Sequence, residues 1–239
     1  MTSHLDRAHP RLAGLFSRAA GVYSRKHPTR AIRIVTSTRS EDAQLRAFKA
    51  EKSKIDPRVK PSRHNFEPSL ALDLWIYKVP RGKQPIGGFW QVKPPGDAGA
   101  ELILSPSTSW GYDRIQFEYR RLGYELQSWQ DGEHEEARLV WGGSWKEGSE
   151  IDRWRLPRFF DGPHVQLSSR FCVQEVQRML SEVLAPDPGA IDGLFGPKTR
   201  ASLAGFCAAK DIPLDLVPGR KFPLKIGAWD ALWRASRGS

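Results

Sequence analysis

Two short stretches carry the residue types from which a catalytic metal centre is built. The first is Ser62-Arg63-His64-Asn65-Phe66-Glu67-Pro68-Ser69-Leu70-Ala71-Leu72-Asp73, and the second is Asp161-Gly162-Pro163-His164. Together they offer His64, Asp73 and His164 as ligands and leave Asp161 as a second carboxylate. A catalytic zinc needs that inventory: three protein ligands, one coordination position kept for water, and a base beside that water. Eight residues, Pro68 among them, separate His64 from Asp73. That spacing places them on a loop and the strand after it, not on one helix face as in H-E-x-x-H. From the turn into its strand, Asp161 can reach the fourth coordination position. His4, His9, His27 and His134 are read as ordinary surface or core histidines.

The elements that must position these groups follow from periodicity. Leu12, Leu15, Phe16, Ala19, Val22 and Tyr23 recur at helical spacing after Pro10, which suits a first turn. This helix is expected to end near Lys26-His27-Pro28. Ala31 to Thr36 is β-rich and reads as a strand. Ser40 caps a helix whose first turn carries Glu41 and Asp42, favourably set against its dipole, and which runs to about Lys52. Leu70 to Tyr77 reads as a second strand, with Ala71, Asp73, Trp75 and Tyr77 on one face and Leu70, Leu72, Leu74 and Ile76 on the other. An aspartate among core-type residues needs a counter-charge, because burying a bare carboxylate is costly. A metal ion would provide it.

Residues 78 to 109 are rich in Pro and Gly and read as a long excursion with short β pieces. A helix is expected from Trp110 to Tyr124, then an acidic loop, a short strand from Arg138 to Trp141, and a final strand near Pro163 to Leu167. At about residue 169 the texture changes. Three helices are expected there: Phe171 to Val183, Pro197 to about Lys210, and a last one carrying Trp229, Leu232 and Trp233. The chain therefore divides into residues 1–168 and a small module, 169–239.

A net charge of +10 over 239 residues favours polyanionic partners such as nucleic acid, anionic head groups or a carboxylate- and phosphate-rich cell wall. No aromatic-interleaved basic pattern points to DNA or RNA, and no apolar run approaches the roughly 20 residues of a membrane span. The N-terminal residues lack a secretory signal, so synthesis in the cytoplasm is expected. Two cysteines, Cys172 and Cys207, are too few for a disulfide scaffold or thiolate cluster. They are read as buried thiols, a single bridge between them being the alternative.

Ser62-x-His64, then Ala71-x-Asp73-Leu74, then Asp161-x-Pro163-His164 resembles the zinc D,D-/L,D-peptidase family, which includes VanY-like carboxypeptidases and phage L-alanyl-D-glutamate endolysins. Leu5 to Phe16 resembles its opening helix, Arg39-Ser40 with Gln44 its Arg-Ser-x-x-x-Gln segment, and Trp141-Gly142-Gly143-Ser144-Trp145 its Trp-Gly-Gly-Asp-Trp segment. The chain departs from the family in the longer His-to-Asp spacing, in Ser144 where Asp is common, and in Val165 where an aromatic residue is usual. The resemblance implies an α+β fold with a small antiparallel sheet and flanking helices. It makes His64, Asp73 and His164 ligands of a Zn2+ cofactor and Asp161 the base. Arg39 would stabilise an oxyanion or grip a carboxylate, and Ser62, Gln44 and Trp141 would contact substrate or support the site.

The C-terminal pattern Val173-Gln174-x-Val176-Gln177-x-x-Leu180, followed by Asp192-Gly193-x-Phe195-Gly196-x-x-Thr199, resembles the three-helix peptidoglycan-binding domain. Gly193 and Gly196 are expected to permit its tight turn. Both resemblances imply a monomeric, endolysin-like peptidoglycan hydrolase that acts on the bacterial cell wall. Release by a holin or delivery by a secretion system would bring it there. No nucleic-acid partner and no stable membrane insertion are expected. A D,D-carboxypeptidase and a non-catalytic wall-binding protein are the alternatives.

Overall fold

The run Leu70–Ile76 alternates as its sequence demands. Leu72, Leu74 and Ile76 are completely buried, while Asp73 and Trp75, on the opposite face, are partly exposed. The computed structural model describes residues 4–28, 30–78, 101–102, 139–142, 163–183 and 186–238. Among them the elements are α1 (Pro10–Lys26), β1 (Arg30–Thr36), α2 (Glu41–Lys49), a 3-10 turn (Arg63–Asn65), β2 (Ala71–Lys78), β3 (Glu101–Leu102), β4 (Leu139–Trp141), β5 (His164–Leu167), α3 (Ser169–Glu182), α4 (Pro197–Ala209) and α5 (Ile226–Ser236). The protein is α+β, as expected. The expected helix at Trp110 to Tyr124, the acidic loop and Asp161 lie outside the described residues. The chain forms two compact units, Met1–Ser37 with Leu70–Gln166, and Thr38–Ser69 with Leu167–Ser239.

In the first unit β2 is the central strand. It pairs antiparallel with β1 along one edge, and with β5 and β3 at opposite ends of the other. The order through the sheet is β1-β2-β5-β4. The β1–β2 register slips between Ile34 and Thr36, so that Thr36 sits opposite Asp73. Such a bulge re-aims the side chains around it. Helix α1 starts with Pro10 in its first turn, and His9 Nδ1 accepts from the Arg11 backbone amide at 3.3 Å. His9 is thus a buried capping residue. Leu12, Leu15, Phe16, Ala19 and Tyr23 form the buried stripe of α1, the face that helical periodicity selects.

The second unit combines α2 and the segment after it with the three C-terminal helices. Ser40 caps α2 by accepting from the Ala43 amide at 3.2 Å, and Ser168 caps α3 from the Phe171 amide at 3.2 Å. Helix α3 packs against α4 and α5, burying Phe171, Val176, Leu180, Leu203 and Trp229. Each such side chain contributes on the order of 2 kcal/mol from burial. Phe66, far upstream in sequence, is buried edge-on against Phe222 and Trp229 at 5.6 and 5.9 Å between ring centres. The turn before α4 requires only one of its two glycines. Gly193 has φ +74°, whereas Gly196 is extended at φ −87° and serves as the helix cap. Cys172 and Cys207 are free, buried thiols, and burial pushes the Cys207 thiol up.

Candidate metal centre

Strand pairing brings the two downstream ligand candidates together. Asp73 lies directly opposite His164 in the β2–β5 register, and the ladder continues through the Leu74 amide, which donates to the Pro163 carbonyl at 2.9 Å. Because opposed residues in a sheet have side chains on the same face, the carboxylate and the imidazole meet. His164 Nδ1 and Asp73 Oδ1 are 3.1 Å apart. The other ring nitrogen, Nε2, lies 3.1 Å from Gln166 Oε1. Gln166 follows two residues later on the strand and so shares the face of His164.

This arrangement sets the imidazole's chemistry. The ring faces an acceptor at each nitrogen, but a neutral imidazole has only one N–H to donate. With Nε2 donating to Gln166, Nδ1 presents its lone pair on the side of Asp73, the orientation that a metal ligand needs. The distance fits a metal: two ligands of one tetrahedral zinc, each about 2.0–2.1 Å from the ion, are themselves about 3.3 Å apart. Holding the ligand ring through its other nitrogen is how metal-bound histidines are oriented.

His64 sits in the 3-10 turn, and a local capping box shapes that turn. Ser62 Oγ accepts from the His64 amide at 3.4 Å, and Asn65 Oδ1 accepts from the Ser62 amide at 2.7 Å. The backbone of Arg39 brackets the same turn. Its amide donates to the His64 carbonyl at 2.7 Å, and its carbonyl accepts from Asn65 Nδ2 at 2.7 Å. His64 is 3% exposed. One ligand atom from each of His64, Asp73 and His164 lies within 4.8 Å of the others, and this His-Asp-His group could hold a metal ion. Two imidazoles and a carboxylate, two of the three residues buried, are a donor set that zinc accepts with a position to spare.

The remaining sequence candidates divide. Gln44 is fully buried, and its amide is spent inside the protein. Its Oε1 accepts from Arg39 Nη1 at 2.9 Å, while its Nε2 donates to Ser53 Oγ at 2.7 Å and to the Ile55 carbonyl at 3.0 Å. It therefore holds the Arg39 guanidinium in place. Ser62, also buried, shapes the ligand turn. Trp141 is a buried residue of β4, next to Gly142, whose amide donates to the His164 carbonyl at 2.7 Å. Asp161 lies outside the described residues. Sequence reasoning missed Gln166 and Asn65. The i, i+2 spacing from His164 was the available signal for the first, and the S-x-x-N capping pattern for the second.

No protein-family model matches this sequence, and neither does any curated protein. No helix among the described residues is long and apolar enough to cross a membrane.

Proposed function

We propose that the protein is a zinc-dependent peptidoglycan hydrolase that cleaves the stem peptide at the L-alanyl-D-glutamate bond, with the C-terminal helices contributing wall binding. The observation that carries this reading is the grouping of His64, Asp73 and His164, three residues that also stand at the ligand positions of the zinc-peptidase pattern in the sequence. The order of the Arg39-Ser40, Ser62-x-His64, Ala71-x-Asp73 and Asp161-x-Pro163-His164 motifs adds to it. The Asp192-Gly193-x-Phe195-Gly196 pattern points to the same substrate from the other end of the chain.

In this mechanism His64, Asp73 and His164 would hold the ion, which would supply Lewis-acid polarisation and make water more acidic. Asp161 takes a proton from the attacking water and delivers it to the leaving amine nitrogen, so that the C–N bond breaks as the new C–O bond forms. Arg39, its guanidinium steadied by Gln44, meets the charge that develops on the carbonyl oxygen or a carboxylate of the substrate. The net positive charge of the chain adds salt-sensitive attraction to an anionic wall.

Mass spectrometry of muropeptides after digestion by the wild type and by Asp161→Ala, with metal content measured in both, tests this reading. New peptides beginning with D-glutamate, absent with Asp161→Ala although zinc is retained, are the expected result. Release of D-alanine alone would make the enzyme a D,D-carboxypeptidase. Iron in place of zinc would change the reaction class, because two histidines and a carboxylate also suit that metal. No new products and no bound metal would leave a wall-binding protein.

A further inference from the structure

A three-residue turn carries His64. Its capping box and the Arg39 backbone fix its local shape. Arg63 before His64, and Phe66 and Glu67 after it, also contact the C-terminal segment. Arg63 lays its guanidinium 4.4 Å over the ring of Phe222 and donates from Nη2 to Ser169 Oγ, at the start of α3, at 2.9 Å. Phe66 inserts edge-on between Phe222 and Trp229, which are themselves edge-on at 5.8 Å. The Glu67 amide lies 3.4 Å from Asp230 Oδ1 on α5. Trp229 is backed by Trp233, stacked at 6.1 Å with an interplanar angle of 13°. Trp233 in turn carries Arg237 4.6 Å over its ring.

These contacts differ in kind from the tether that a separable wall-binding module provides. A flexible tether changes local concentration and leaves the catalytic domain's geometry alone. Here three of the four residues from Arg63 to Glu67 other than His64 touch side chains of α3, α5 or the segment between α4 and α5. Phe66 and Trp229 are buried, at 1% and 0% exposure. Aromatic edge-to-face pairs contribute about 0.5–1.5 kcal/mol each beyond their burial, and an arginine over a ring adds a comparable amount. They add to the hydrogen bonds that shape the 3-10 turn, which are worth about 1 kcal/mol apiece. The position of His64 therefore depends on the C-terminal side as well as on the turn's own bonds.

We propose that Phe222, Trp229, Ser169 and Asp230 form a positioning platform for the His64 loop, so that metal affinity depends on the C-terminal helices as well as on the sheet. The inference rests on His64 being a metal ligand. It adds that the segment after residue 168 cannot be removed without loss of the metal.

The test uses the full chain, with Phe222→Ala as the strong variant and Arg63→Lys as the mild one. Lysine keeps the charge but gives up the planar stack and the fixed fork of donors. Two quantities are read in each protein, with circular dichroism to establish that the fold is kept. They are the hydrogen exchange of the residue 62–67 amides without metal, and the zinc dissociation constant by competition with a chromophoric chelator. Phe222→Ala is expected to speed exchange across 62–67 while β2 keeps its protection, and to weaken zinc binding about 10-fold or more, the usual cost of losing a ligand's supporting contacts. Arg63→Lys moves both in the same direction by less, and it answers the question if Phe222→Ala does not fold. Folded variants with wild-type exchange at 62–67 and wild-type zinc affinity would overturn the proposal. A wild type that takes up no metal overturns the metal assignment of His64 instead, a result the exchange data separate from the first.

Discussion

Gln177 and His164 are both buried polar side chains held by networks, and the networks close in different ways. Gln177 Nε2 lies within 3.0–3.1 Å of Asp192 Oδ1, the Leu194 carbonyl and Thr199 Oγ1, and its Oε1 accepts from the Gly193 amide at 3.0 Å. Each of these partners is supplied by the protein. Around His164 an acceptor faces each ring nitrogen, and His64 stands in the same group. That group could hold a metal ion. Both clusters satisfy the rule that buried polar atoms are paired, but only the second gathers side chains that could ligate a metal. The first is the signature of architecture and the second of a site.

Removing the central side chain of each cluster gives the sharpest contrast. His164→Ala is expected to weaken zinc binding by about 100-fold or more, since even supporting residues of metal ligands are worth 10- to 100-fold. Gln177→Ala should leave zinc affinity unchanged and cost about 3 kcal/mol in urea denaturation, because it strands several buried partners at once. Equal effects of both variants on zinc would erase the distinction.

A second probe stays on the architectural side. At Gly193, with φ +74°, an added Cβ would stand 2.7 Å from the Arg170 carbonyl oxygen. Gly193→Ala should cost about 2 kcal/mol or more through strain and clash. Gly196→Ala, with an extended backbone and nothing within 4 Å of its Cβ, should cost less than about 1 kcal/mol. Thermal melts of the two variants decide this.

On the metal side, Gln166→Leu removes the acceptor on His164 Nε2 while leaving all three candidate ligands in place. Zinc affinity should fall about 10-fold with little change in the urea midpoint. An unchanged dissociation constant would show that strand pairing alone orients the ring.

The smallest effect concerns Asp230 in the platform. Burial pushes its carboxyl up to about 6, opposed by the Glu67 amide and the Arg234 charge and reinforced by Glu67 itself. The folded protein therefore holds this proton more tightly than the unfolded chain does. Between about pH 4 and pH 6 the group's contribution makes stability fall as pH rises, and above that it is flat. The group is partly exposed and screened, so the change stays under about 1 kcal/mol. Asp230→Asn should flatten that part of the stability profile measured by urea denaturation from pH 4 to pH 7. A profile parallel to the wild type would remove Asp230 as its source.

The sequence by itself determined the local elements. The apolar stripe of α1, the cap at Ser40, the alternation along β2 and the Pro197 start of α4 all lie where short-range spacing put them, because helix and strand periods and end caps are settled within a few residues. The pattern also singled out His64, Asp73 and His164, whose motifs are short and contiguous. What the sequence left open was nonlocal. The pairing of Asp73 with His164 depends on a strand register across 91 positions, and the bulge that brings Thr36 opposite Asp73 has no marker in either strand. That Gln44 is buried and spends its amide on Arg39, Ser53 and Ile55 has no marker in the sequence either. The contact of Glu67 with Asp230 spans 163 positions, and nothing in the basic, proline-punctuated segment after α2 announces that its Phe66 belongs among the C-terminal helices. Such contacts form where closing a long loop is repaid by burying large rings and by satisfying buried polar atoms. That balance is struck by the whole chain at once, and only the tertiary structure decides it.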